Sequence, residues 1–278
     1  MMKQDPEHLE RKNQALWDEL APVHARAYRA IDLLKNEEPV LDEIELRDVG
    51  EVERKTLLHL QCHIGTDSLA WARRGALVTG VDFSPRSIAL ARQLQGELDL
   101  EATFICANIY DLPTVLDKQF DIVYTSRGVL CWLRDLGEWG RIIARFLKPG
   151  GIFYIMEEHP FCHTFERDDD GELRLTYPYF HSPEPRVSDD LDGDYADADY
   201  IPQHPSYEWQ WSLSDIVGAL LGAGLQIELF HEYERLFFKL FSGMVEGPAR
   251  WYRLPEHAGK LPLLFTLRAR KVDRPSDI

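Results

Sequence analysis

The chain has 278 residues, 45% of them hydrophobic and 28% charged, which excludes wholesale disorder and leaves room for one large domain with a substantial core. Thirty-one Lys and Arg against 47 Asp and Glu give a net charge of −16, which speaks against a long nucleic-acid backbone or an anionic membrane as partner. Nine of those excess charges fall between Glu166 and Tyr200, where twelve acidic residues stand against three basic ones. The four cysteines, Cys62, Cys106, Cys131 and Cys162, are widely spaced and form no C-x-x-C pair. They predict reduced, buried thiols in a soluble, cytoplasmic protein, in keeping with an N-terminus that lacks an apolar signal segment.

In chain order, Leu16, Trp17, Leu20, Val23 and His24 recur at helical spacings, so the first 34 residues are expected to be helical. An acidic stretch, LDEIELRDVGEVERK, leads to a strand at 56–61 and a helix from about Thr66 to Arg74. ALVTGVD is a second strand ending at Asp82, with Ser84 and Pro85 as the N-cap and first turn of the next helix. ATFICA and FDIVYTS are the third and fourth strands. RDLGEWGRIIARFL places Leu136, Trp139, Ile142, Ile143 and Phe146 on one helical face, and KPGG is expected to turn into the fifth strand, GIFYIME. Strands alternating with helices at these lengths predict βαβ units and a parallel sheet.

Residues 158–211 break the pattern, with a hairpin expected only at ELRLTYPYF. A loop this long is functional or disordered. Its aromatics, Tyr177, Tyr179, Phe180, Tyr195, Tyr200, Tyr207, Trp209 and Trp211, favour an ordered lid over a binding site. SLSDIVGALLGAGL is then a helix capped by Ser212 or Ser214 and closed by Gly224. LQIELFHEY and LPLLFTLRARK are the last strands, separated by a second irregular insertion at about 235–260. The expected division is a helical cap over 1–50, a core over 51–157 and 212–278, and a lid over 158–211.

In an open parallel sheet the ligand sits beyond the carboxyl ends of the strands. Asp82 stands there, 17 residues after Gly65, where a carboxylate can accept both hydroxyls of an adenosine ribose. The dinucleotide fingerprint G-x-G-x-x-G fails at Gln61, His63 and Thr66, and no phosphate-binding P-loop is present.

The segment LLHLQCHIGTDSLAWARRGALVTGVDFSPRSIALAR resembles the first two motifs of class I S-adenosylmethionine-dependent methyltransferases, and in particular a bacterial subgroup of unassigned substrate whose loop reads LQCH-x-G. The similarity continues through ALWDELAPVH, ICANIYDLP, FDIVYTSRGVLCWL, LKPGGIFYIMEEHPF and YEWQWSLSDIVGALLGAGLQIELFHEY, so it covers nearly the whole chain. It implies a Rossmann-like α/β fold with a seven-stranded, mostly parallel sheet and an antiparallel last strand at about 262–270. It implies that Gln61, Cys62, His63 and Gly65 line the methionyl and adenosyl moieties, that Asp82 holds the ribose, and that Phe83 packs on the adenine. Asn108 and Ile109 would flank the adenine, with the amide recognising its amino group, and Ser126 and Arg127 would lie near the methionine end. Three departures stand out: His59 replaces an acidic residue, Gln61 and His63 replace two glycines, and Asn108 replaces the commoner Asp. His63 is also a residue that a left-handed turn tolerates.

Methyl transfer from a sulfonium is an in-line displacement that needs the acceptor held at near-attack distance, and a base only for a poor nucleophile. His159, just past the fifth strand, is the candidate base, and its alternative role is a capping or loop histidine. Trp132, Glu157, Tyr207 and Trp209, with His163 nearby, are candidates for the acceptor side. Glu157, His159 and His163 do not have metal-site spacing, Pro160 breaking any helix between the histidines, so no metal is expected. The expected activity is methylation of a small molecule, with no nucleic acid or membrane as partner. Acidic runs near the site would favour a neutral or amine-bearing acceptor, unless DDDGE and SDDLDGD are only solvated turns. Two alternatives remain: a non-catalytic adenosyl-ligand-binding or partner-binding protein, and a nucleotide-cofactor oxidoreductase.

Overall fold

The computed structural model describes residues 6–166, 172–188, 193–248 and 251–272. Seven strands share one sheet: β1 (Thr56–Leu60), β2 (Leu77–Asp82), β3 (Ala102–Cys106), β4 (Phe120–Ser126), β5 (Leu147–Glu158), β6 (Leu225–Tyr233) and β7 (Leu264–Lys271). Their order across the sheet is β3-β2-β1-β4-β5-β7-β6. Strands β1 to β5 pair in parallel, and β7 runs antiparallel between β5 and β6. The helices are α1 (Pro6–Ala27), α2 (Arg29–Lys35), α3 (Glu43–Val49), α4 (Thr66–Arg73), α5 (Pro85–Leu98), α6 (Leu112–Val115), α7 (Leu136–Phe146) and α8 (Leu213–Gly222). None among the described residues is long and apolar enough to cross a membrane.

Both faces of the sheet are covered, so its central strands read as nearly continuous apolar runs. Alternation assigns each side chain to a face. Leu57, Ile122, Tyr124 and Tyr154 join Trp71, Ile88 and Ala91 on one side. Leu58, Leu60, Val123, Phe153 and Ile155 join Trp139, Ile143, Ile216 and Leu220 on the other. Strand order reverses between β1 and β4, whose carboxyl ends both face the same crevice, where ligands bind in sheets of this type.

Several expected elements are corrected. The N-terminal helix breaks at Tyr28, whose extended backbone (ψ 108°) separates α1 from α2. The acidic stretch before β1 contains α3, started by a capping box in which Asp42 and Glu45 satisfy each other's backbone N–H groups. KPGG is the lead-in of β5 rather than a turn before it. The register jumps from Phe120–Leu147 to Ile122–Ile152 there, around Gly150 at φ +74°. Arg174–Leu175 forms no hairpin within ELRLTYPYF; it pairs with Phe165–Glu166, while Arg186–Ser188 pairs with Ser206–Glu208. The caps follow expectation. Ser84 accepts from Ser87 N at 3.0 Å, Ser212 starts α8 in a capping box with Asp215, and Gly224 follows α8 at φ +81°.

Candidate active site

Two cavities lie side by side at the carboxyl ends of β1, β2 and β4. One, of about 680 Å³, is bounded by the β1–α4 loop, Asp82, Phe83, Asn108 and Ile109. The other, of about 660 Å³, opens between Glu157, Glu158 and the 158–211 insertion. Trp17, Arg127, Gly128 and Trp132 line both, so they form the neck between them.

The first cavity is built on a strained loop. Gln61 (φ 58°) and His63 (φ 49°) adopt the left-handed backbone usual for glycine, so these two substitutions keep the turn and add side chains. Gln61 donates to Val129 O at 3.1 Å, while its buried Oε1 makes no hydrogen bond to any described residue. The thiol of Cys62 is buried, and burial pushes its pKa up; of the four cysteines expected to be buried, Cys131 is half-buried and Cys106 is exposed. Gly65 does not line the cavity: a Cβ there would meet Phe104 and Ala91 at 2.8–2.9 Å, so this glycine serves close packing.

Buried hydrogen bonds tie the loop to its surroundings. His59 bridges Ser68 Oγ (2.8 Å) and Ser126 Oγ (3.1 Å), joining the ends of β1 and β4, and burial lowers its pKa to about 3. His63 contacts Ser87 Oγ through Nδ1 and His24 Nδ1 through Nε2, each at 2.9 Å. His24 Nε2 in turn lies 3.1 Å from Asp194. Burial and the adjacent His24 lower the His63 pKa. These contacts link the β1–α4 loop, α1 and Asp194.

Asp82 accepts from His63 N at 2.8 Å and Ser84 N at 2.9 Å. Burial nevertheless raises its pKa to about 6. At the far end Asn108 caps its own turn, its Oδ1 accepting from Tyr110 N at 3.0 Å, and its amide donates to Glu10 at 3.4 Å. Glu10 comes from α1 and is also paired with Arg134 at 3.0 Å. Arg127 is paired with Glu45 at 2.5 Å and lies over the ring of Phe237.

In the second cavity, Glu157 accepts from the backbone N–H groups of Gly128 (2.5 Å), Val129 (2.8 Å), Leu130 (3.3 Å) and Glu158 (2.9 Å). Its carboxylate therefore holds the β4–α7 turn, although burial and the neighbouring Glu158 raise its pKa to about 7. Glu158 Oε2 lies 3.1 Å from His163 Nε2. Glu158, Cys162 and His163 bring one donor atom each within 4.8 Å, with the Cys162 thiol donating to His159 O at 2.9 Å. Trp209 lines this cavity, its N–H donating to Cys131 O at 2.7 Å.

Of the residues singled out from the sequence, Gln61, Cys62, His63, Asp82, Phe83, Asn108, Ile109, Ser126 and Arg127 line the first cavity. Glu157 and Trp209 line the second, and Trp132 lines both. His159 lines neither: its Nε2 lies 2.9 Å from Glu232 and its Nδ1 accepts from Phe161 N at 3.1 Å, so its ring holds the chain leaving β5. Tyr207 lines neither as well. It pins the insertion to α1 through Asn13 (2.8 and 2.9 Å) and Lys12 (2.9 Å). DDDGE and SDDLDGD fall largely outside the described residues. Sequence reading missed Glu10, Trp17 and Tyr28, which share one face of the N-terminal helical segment by their spacing, and Glu158, masked by its twin Glu157.

Residues 58–155 match the family model of a methyltransferase domain. The chain is 32% identical over 130 residues to a cypemycin N-terminal methyltransferase of Streptomyces, covering 46% of this chain and 51% of that protein. It is 31% identical over 156 residues to a ubiquinone biosynthesis O-methyltransferase of Pseudomonas syringae, covering 53% and 66%. The chain thus spans about half to two thirds of the length of these curated relatives. A solved S-adenosylmethionine-dependent methyltransferase from Mesorhizobium loti superposes with a TM-score of 0.58 at 22% identity, covering 82% of this chain and 96% of that one. Residues 58–155 therefore resemble a methyltransferase domain, and the seven-stranded sheet that carries them has the Rossmann-like class I methyltransferase fold.

Proposed function

We propose that the chain binds S-adenosylmethionine in the first cavity and transfers its methyl group to a small molecule in the second. The observation that carries this is the pair of adjoining cavities with a shared neck at Arg127, Gly128 and Trp132. The unpartnered Gln61 Oε1 suits an ammonium donor such as the methionyl amine, and the remaining lone pairs of Asp82 suit ribose hydroxyls. Asn108 has its carbonyl engaged in a cap, so Glu10, which lines the same end, is the acceptor offered to the adenine amino group. Phe83 and Ile109 supply apolar contact there.

The bound donor supplies a methyl group already activated on a sulfonium. The chain's own contribution is positional: Trp17 and Trp132, with rings 5.3 Å apart, narrow the neck between donor and acceptor. The relatives' names include an N-terminal and an O-methyl acceptor, so they do not select between nitrogen and oxygen.

Calorimetric titration with S-adenosylmethionine, S-adenosylhomocysteine and NADH tests the proposal. Both sulfur ligands should bind in the micromolar range, NADH should not, and Asp82→Ala should weaken binding about tenfold or more, or about 1.4 kcal/mol. Failure of both sulfur ligands to bind removes the proposal and leaves only the fold. A stoichiometric protein complex without any turnover would favour the non-catalytic alternative.

A further inference from the structure

We propose that the methyl acceptor is a small amine whose nitrogen is held by the Glu158 carboxylate at the neck between the two cavities; this rests on the methyl-transfer reading above. Position is the first ground. Glu158 lines the second cavity, and its Oε1 lies 3.4 Å from where a Cβ on Gly128 would sit. Gly128 lines both cavities, so this carboxylate stands where acceptor and donor have to meet.

Unused capacity is the second ground. The Glu158 side chain is 10% exposed, and its Oε2, which faces His163 Nε2 at 3.1 Å as an ion-pair contact, makes no hydrogen bond to any described residue. A carboxylate removed from water at that depth is costly unless donors reach it. The neighbouring acids are already served. Glu157 takes four backbone N–H groups, Asp194 takes His24, and Glu208 takes Arg186 at 3.0 Å. Glu158 is thus the one of these acids away from solvent with acceptor sites left for a ligand, Glu184 being exposed.

The surrounding walls select the ligand's charge. Five acids (Glu157, Glu158, Glu184, Asp194, Glu208) line the second cavity against two arginines, Arg127 and Arg186. Each arginine is paired with a glutamate, so its charge is already balanced, although the buried Nε of Arg127 makes no hydrogen bond to any described residue. Trp17, Trp132, Trp209, Phe237 and Phe238 present aromatic surface, which attracts an organic cation by its ring faces. An ammonium satisfies the buried acid, the charge balance and the walls together; an anion satisfies none of them.

The step balances without a further reactant. One ammonium proton passes to the Glu158 carboxylate, which frees the nitrogen lone pair. An N–CH3 bond then forms as the S–CH3 bond breaks, and that bond's electron pair stays on sulfur as a neutral thioether. The product leaves as a methylated ammonium.

The test uses protein saturated with S-adenosylhomocysteine, titrated calorimetrically with phenethylamine, phenethyl alcohol and 3-phenylpropionate. The wild type should bind the amine at least about tenfold tighter than either isostere. Glu158→Gln should erase that preference while S-adenosylhomocysteine affinity stays within about twofold, which also shows the variant to be folded. Equal or preferred binding of the alcohol or the acid overturns the inference. So does an amine preference that survives in Glu158→Gln, absence of binding of all three probes at millimolar concentration, or a stoichiometric metal ion lost on that substitution. In each case bound S-adenosylhomocysteine leaves the cofactor proposal intact, whereas a wild type that does not bind it fails at that earlier level.

Discussion

Asp82 is held under opposed influences. Two backbone N–H groups favour its charge, and burial disfavours it more strongly, leaving the pKa at about 6. An unfolded aspartate ionises near pH 3.9, so between about pH 4 and 6 the unfolded chain holds fewer protons at this position. Stability of the ligand-free protein should therefore fall as pH rises through that window, by up to about 3 kcal/mol from this group alone. Ligand binding should change the other way. The ionised carboxylate is the better acceptor for ribose hydroxyls, so S-adenosylhomocysteine affinity should drop below about pH 6, by no more than about tenfold per unit. Titrations across that range should show the slope in the wild type and not in Asp82→Asn. A flat wild-type profile would separate Asp82 from the ligand. At this scale the sequence pointed to side chains at strand ends, and Asp82, Asn108 and Arg127 do line the first cavity. It misled at His159 and Tyr207, because which way a loop side chain turns depends on partners such as Glu232 and Asn13, far away in sequence.

Among the elements, α3 contributes to the site more than its seven residues suggest. Glu45 caps the helix by accepting from Asp42 N at 3.0 Å, and the same fully buried carboxylate pairs with Arg127 and takes the hydroxyl of Tyr124. Glu45→Ala should strand the Arg127 charge and cost about 3 kcal/mol, the lower end for a broken buried pair because a quarter of the Arg127 side chain remains in solvent. Denaturant unfolding should also show that Glu45→Ala combined with Arg127→Ala costs less than the two changes summed. Strict additivity would mean that the pair is not coupled. The capping box D-x-x-E was present in the sequence at Asp42 and Glu45, yet a short helix inside an acidic run lacks the two or three turns that make periodicity visible. The longer α5, α7 and α8 were legible because their apolar faces span several turns, and each starts at a capping side chain, Ser84, Asp135 or Ser212.

For the whole molecule, the alternation of strands and helices was enough to expect the parallel sheet, and the seven-strand order bears that out. The roof was not legible to the same degree. That α1 closes over the first cavity follows from the pinning of Ser206–Glu208 to Asn13 and from the Asp194–His24–His63 chain, contacts between segments well over a hundred residues apart in part. The net charge of −16 also acts at this scale. If an amine is the acceptor, its association should slow as salt rises, while that of the neutral isostere should not, and stopped-flow binding at low and high ionic strength would measure both. Salt-independent association of the amine would confine the charge to solvated turns. The most direct measurement is the crystal structure of the S-adenosylhomocysteine complex. The ribose should lie on Asp82, the adenine between Phe83 and Ile109, and the sulfur at the neck beside Gly128 and Trp132, facing Glu158. A ligand bound outside that cavity, or with its sulfur turned away from the neck, would contradict the account.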